Sequence, residues 1–115
     1  FNFDPPSPPQ ILAAQAAVDA GADLVIGHHA HVLQGVEFRG NSVIAYGLGN
    51  FAFEIDGDPT TTILNVWLDE QGVRQIEYRP AIIEAGGRPR MAAPWEAGQI
   101  RQKVYYLTTL LNESP

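Results

Sequence analysis

Apolar and polar positions along the 115-residue chain follow two periods, one helical and one extended. Small or apolar residues recur at Ile11, Ala14 and Val18, the spacing of one helix face. Ser7-Pro8-Pro9-Gln10 precedes them. Proline is tolerated in a first turn, and Ser7 with Gln10 has the form of a capping box. Gly21 supplies a left-handed stop, so a helix is expected over about 8–20. Leu24-Val25-Ile26 is short, wholly apolar and mostly β-branched, the pattern of a buried central strand of an α/β sheet. Val32 to Arg39 and Ser42 to Tyr46 flank Gly40-Asn41 and read as a β-hairpin. Thr60 to Leu68 and Val73 to Ile83, joined by Asp69-Glu70-Gln71-Gly72, read as a second hairpin. A Gly/Pro/Arg loop over 86–94 precedes an amphipathic helix with Ile100, Val104, Leu107 and Leu111 on one stripe.

These elements amount to one small α/β domain or part of one, and an apolar content of 45% is enough for a real core. No stretch approaches the roughly 20 apolar residues of a membrane span. With no cysteine, disulfides and thiolate metal sites are excluded, so any metal must be held by nitrogen and oxygen. The formal charge of −6 argues against nucleic acid as a partner. Residues 1–71 hold nine carboxylates against Arg39 alone, whereas residues 72–115 hold six bases against four acids. The acidic part would suit a cation, although an ordinary solvated surface is the simpler explanation of the imbalance.

The chemistry concentrates in one loop. All three histidines fall within four positions, at His28, His29 and His31. Neutral imidazole is a good ligand for divalent first-row metals. In an extended segment, side chains at i and i+2 project to the same side, roughly 6.5–7 Å apart at the backbone. His29 and His31 would then converge on one metal or on two adjacent ones, with His28 directed elsewhere. Gly27 permits a sharp turn off the strand, and the C-terminal edge of such a strand is where open α/β sheets bind ligands. Asp23, Glu37, Glu54, Asp56 and Asp58 are local carboxylates that could join the site, but each is more simply a strand-end or loop acid, and no pair has spacing that compels a ligand assignment. Asn50 in Gly49-Asn50-Phe51 could position phosphate, water or the histidine loop. Its simpler reading is a left-handed turn, with Phe51 and Phe53 packing inward. Tyr46, Trp67, Tyr78, Trp95, Tyr105 and Tyr106 are too dispersed for a binding platform and read as core or helix-face residues.

The run from Gln15 through Gly21-Ala22-Asp23, the histidine loop and Gly35-Val36-Glu37, followed by Tyr46-Gly47-Leu48-Gly49-Asn50-Phe51-Ala52-Phe53, resembles the bacterial capsule-synthesis family (CapA, poly-γ-glutamate). The resemblance covers about 15–54 strongly and the remainder in looser pattern. It implies the C-terminal part of a calcineurin-like metallophosphoesterase, a four-layer α/β/β/α sandwich with a two-metal site, and residues 1–115 would form the C-terminal portion of that domain. His29 and His31 would take the place of the superfamily's final Gly-His-x-His pair, one serving each metal. This loop is one residue longer than the motif, so His28 stands as the alternative to His29. Alanine at position 30, where the family often has proline, would hold the loop less stiffly.

The resemblance further implies divalent ions (Mn, Fe, Zn or Mg) and a phosphate-ester or surface-polymer substrate. It implies a bacterial cell-envelope setting, membrane-associated or extracytoplasmic. The parent would be a metal-dependent phosphoesterase-like hydrolase in capsule or poly-γ-glutamate biosynthesis. The other ligands would lie upstream, so the upstream half of the same domain is an expected partner and the chain alone is expected to be inactive. Exposed sheet edges would favour homo-oligomers. The competing expectation is a non-catalytic module that binds a polymer or a partner.

Overall fold

The computed structural model describes residues 5–28, 31–52 and 58–113. Its elements are α1 (Pro8–Asp19), β1 (Leu24–Ile26), β2 (Val36–Arg39), β3 (Ser42–Ala45), β4 (Thr60–Asp69), β5 (Gly72–Glu84), β6 (Arg88–Met91) and α2 (Pro94–Glu113). The strands form two three-stranded sheets, ordered β1-β3-β2 and β4-β5-β6.

Helix α1 starts as the capping box requires. The Ser7 amide donates to Gln10 Oε1 at 2.8 Å, and the Gln10 amide donates to Ser7 Oγ at 3.4 Å. It ends at Ala20, with Gly21 following at φ 115°. Its apolar face, Ile11, Ala14 and Val18, packs on Val25, Ile44 and Tyr46. Along β3 the side chains alternate. Ile44 and Tyr46 face α1, while Val43 and Ala45, with Val36 of β2, face Leu64, Val73, Ile76 and Tyr78 of the second sheet. Burying an aliphatic side chain such as Ile44 stabilises by roughly 1.5–3 kcal/mol. Helix α1, the first sheet and the second sheet are therefore three consecutive layers, and the expected mixed α/β architecture is observed.

Helix α2 opens with Pro94 and half a capping box, the Ala93 amide donating to Glu96 Oε1 at 2.8 Å. Its stripe does what the spacing predicts. Ile100 and Val104 pack with Leu33, Tyr78 and Ile82, and Leu107 is also buried. The helix runs beside β2 and satisfies that strand's outer edge with side chains. The Val36 amide donates to Thr108 Oγ1 (3.0 Å) and the Phe38 amide to Asn112 Oδ1 (2.9 Å), while Asn112 Nδ2 donates to the Val36 carbonyl (2.8 Å). An edge that would otherwise invite another strand is closed by a helix.

Three local expectations change. The first hairpin's leading strand begins at Val36 rather than Val32, because Leu33 instead makes an isolated antiparallel bridge to Leu48. The 86–94 segment is not all loop, since Arg88–Met91 pairs with Ala81–Glu84 as β6. The strand folds back on β5 as a tight hairpin, and Arg-Pro-Arg-Met has no apolar alternation that would mark it as a strand. Strand β1 is not central among the described residues. It pairs in parallel with β3 alone, and Ile26 is 49% exposed.

Candidate metal-ligand loop

The site is built where two parallel strands end side by side. β1 and β3 run in register, Ile26 opposite Ala45, and the Gly27 amide extends the ladder to the Ala45 carbonyl at 2.8 Å. Beyond that edge β1 delivers Gly27 and His28, and β3 delivers Tyr46 to Asn50. Gly27 is required for close approach rather than for a left-handed turn: a Cβ there would collide with the Tyr46 carbonyl oxygen. The two chain exits are thus held against one another by backbone contact.

His31 and Asn50 meet across these exits, 19 residues apart in sequence. His31 Nδ1 lies 2.6 Å from Asn50 Oδ1, and Asn50 Nδ2 donates to the His31 carbonyl at 2.9 Å. His31 is not extended but left-handed, φ 64°, so the picture of alternate side chains on an extended segment does not hold at this residue. The two contacts from one amide offset the cost of that conformation, of order 1–3 kcal/mol for a non-glycine residue. Asn50 itself is not the left-handed residue of its turn. Its neighbours Gly49 (φ 83°) and Phe51 (φ 59°) are, which aims the amide back at the histidine. Phe51 is 42% exposed rather than packed inward.

The turn carrying Asn50 is braced from the second sheet. Buried Thr61 of β4 donates through Oγ1 to the Leu48 carbonyl (2.7 Å) and accepts from the Phe51 amide (3.1 Å). The close seat at Gly49 has no room for a side chain, since a Cβ there would stand 2.7 Å from the Thr60 carbonyl oxygen. Gln34, also buried, anchors the other side. Its amide nitrogen in the backbone donates to the Gly47 carbonyl (3.0 Å), and its side chain accepts from Gln10 (3.1 Å) and donates to the Pro5 carbonyl (3.3 Å). Neither Thr61 nor Gln34 was legible as a site residue, because each acts through a backbone group distant in sequence.

The remaining candidates are dispersed. His28 is exposed and borders a small cavity of about 230 Å³ between α1 and the first sheet, with Gln10, Ala14, Val25, Ile44 and Tyr46. His29, Ala30, Phe53, Glu54 and Asp56 lie outside the described residues. Glu37 is drawn beneath α1, accepting from Tyr46 Oη (2.7 Å), Gln15 Nε2 (3.0 Å) and Arg39 (3.2 Å), and so serves packing rather than the loop. Asp58 accepts from Thr60 and pairs with Lys103 at 3.2 Å. Burial pushes its carboxyl up, but the Thr60 hydrogen bonds and the Lys103 ammonium outweigh that and hold it below the usual range. Of the aromatic residues expected in the core or on a helix face, Tyr46 is buried and Trp95, Tyr105 and Tyr106 lie exposed on α2, whereas Trp67 is exposed on β4.

Residues 2–55 match the family model described as bacterial capsule synthesis protein PGA_cap, and this span holds the histidine loop and the Asn50 turn. The chain belongs to the PGA_cap capsule-synthesis family. It is 39% identical over 83 residues to the capsule biosynthesis protein CapA of Bacillus anthracis, covering 70% of this chain and 20% of that protein. It is 34% identical over 100 residues to the PGA biosynthesis protein CapA of Bacillus subtilis (strain 168), covering 85% of this chain and 25% of that one. The chain thus spans a fifth to a quarter of the length of these relatives. The PGA_cap fold is metallophosphoesterase-like, and the α1, first-sheet and second-sheet layers belong to that sandwich.

Proposed function

We propose that this chain supplies one corner of a two-metal hydrolytic site in a protein of capsule or poly-γ-glutamate biosynthesis, acting at a phosphate-ester or acyl-phosphate-like centre. The observation that carries the reading is the seating of His31 on Asn50 where β1 and β3 end. Support comes also from relatives named for capsule and PGA biosynthesis. His29 and His31 would hold divalent ions, manganese, iron, zinc or magnesium, with His28 as the alternative to His29. Such ions, when bound, activate a water and neutralise charge on the transferred group.

The donor chemistry fits, since imidazole suits first-row divalent metals and the loop offers nitrogens without competing lysines. Among the described residues no three His, Asp or Glu side chains gather as a complete metal site. Oxygen ligands from the rest of the protein would complete it, and in the same reading an upstream segment pairs with the outer edge of β1. A cell-envelope setting follows from the same role. Among the described residues no helix is long and apolar enough to cross a membrane.

The test is metal content of the intact protein by plasma mass spectrometry, with hydrolysis of an aryl phosphate ester. Bound metal that falls together with hydrolysis in His29→Ala and His31→Ala is the expected result. A metal-free protein whose hydrolysis is unchanged by both substitutions would sink the reading and favour a non-catalytic, polymer-binding module.

A further inference from the structure

We infer that Asn50 is a positioning residue that fixes the His31 tautomer, placing the proton on Nδ1 and leaving the Nε2 lone pair as the metal-facing donor. The inference rests on the reading of the histidine loop as metal-ligating. Its foundation is that one amide makes both contacts. Asn50 Nδ2 faces the His31 carbonyl oxygen at 2.9 Å, and a carbonyl can only accept. The amide must therefore present nitrogen on that side and oxygen on the other, because the flipped arrangement would set two acceptors against each other. Oδ1 is then the atom 2.6 Å from His31 Nδ1, and it can only accept a proton from the ring. In the neutral imidazole a proton on Nδ1 leaves Nε2 as the acceptor, the form a ligand needs.

Geometry reinforces the assignment. The His31 backbone is left-handed where the same amide meets its carbonyl, so one side chain holds both the ring and the backbone of the histidine. Thr61 fixes the carbonyl two residues before Asn50 and the amide one residue after it, so the clamp is anchored in β4 rather than in the loop itself. Histidine ligands are commonly oriented through their second nitrogen in this way, and loss of such a partner typically weakens metal affinity by about 10–100-fold.

The test is nitrogen-15 NMR of the intact, metal-free protein carrying labelled histidine, with the His31 signals assigned by His31→Gln. The wild type should show a protonated Nδ1 and a bare Nε2. Asn50→Ala, which removes the acceptor facing the ring, should lose that pattern. A wild-type ring protonated at Nε2, or an unchanged pattern in Asn50→Ala, would overturn the inference. Calorimetric titration with Zn²⁺ alone separates the two levels. Absence of Zn²⁺ binding in the wild type counts against the metal reading while the tautomer result stands. Weakening by about 10–100-fold in Asn50→Ala supports the positioning role.

Discussion

The Tyr46 hydroxyl donates to the Glu37 carboxylate at 2.7 Å in the layer between α1 and the first sheet. Tyr46 is 2% exposed and Glu37 8%, and the carboxylate is completed by Gln15 of α1 and Arg39 of its own strand. One carboxylate thus ties β2, β3 and α1 together directly behind the strand end that carries the candidate loop.

Tyr46→Phe should destabilise the protein by about 1–3 kcal/mol, since it removes a hydrogen bond to a charged, buried acceptor. Denaturant unfolding of the two proteins measures it directly. Adding Glu37→Leu should cost less than the two single changes summed, because the second substitution removes the carboxylate that the first leaves short of a partner.

The same substitution at Tyr78 should have the opposite sign. The Tyr78 hydroxyl is buried and has no hydrogen-bond partner among the described residues. Tyr78→Phe removes that uncompensated group while keeping the ring against Leu33, Val36 and Val43, and should raise stability by about 1 kcal/mol. A lower melting temperature would show that the hydroxyl is satisfied in solution.

Alkaline pH should erode the fold through these two phenols. Burial raises the pKa of both above the ordinary tyrosine range, helped at Tyr46 by the Glu37 hydrogen bond and charge. A raised folded-state pKa gives stability that is complete below the unfolded value near 10 and is lost as pH rises beyond it. Ultraviolet titration should show two of the four tyrosines ionising only as the protein unfolds.

Acid should act at the start of α2. The Arg90 hydrogen bond, followed by that from the Ala93 amide, draws the Glu96 carboxyl down to about 2. A depressed folded-state pKa gives stability that is present above the unfolded value of 4.5 and is lost as pH falls toward 2. Melting temperatures between these limits should fall in the wild type. The fall should be shallower in Glu96→Gln, which carries no titrating group at this position.

Gly27→Ala should cost about 1–3 kcal/mol, because the new methyl must push β1 away from the Tyr46 carbonyl. The displacement falls on the histidine loop, so metal binding should weaken together with stability. An exposed alanine change such as Gln102→Ala serves as the control and should alter neither.

What the sequence determined by itself was local. The Ser7 and Gln10 cap, the 3.6-residue stripe of α2 and the Gly40-Asn41 turn each specify structure within a few residues, and the histidine cluster marked the chemistry. Tertiary structure decided what depends on partners far along the chain. β2's edge was closed by Thr108 and Asn112. Glu37 was claimed by Tyr46 rather than by the loop. Asn50, readable from sequence as a turn former, acquired its contact with His31 because parallel pairing of β1 and β3 brings their exits side by side. Periodicity reports which face of an element is apolar. It carries no record of which distant backbone group a single polar side chain will meet.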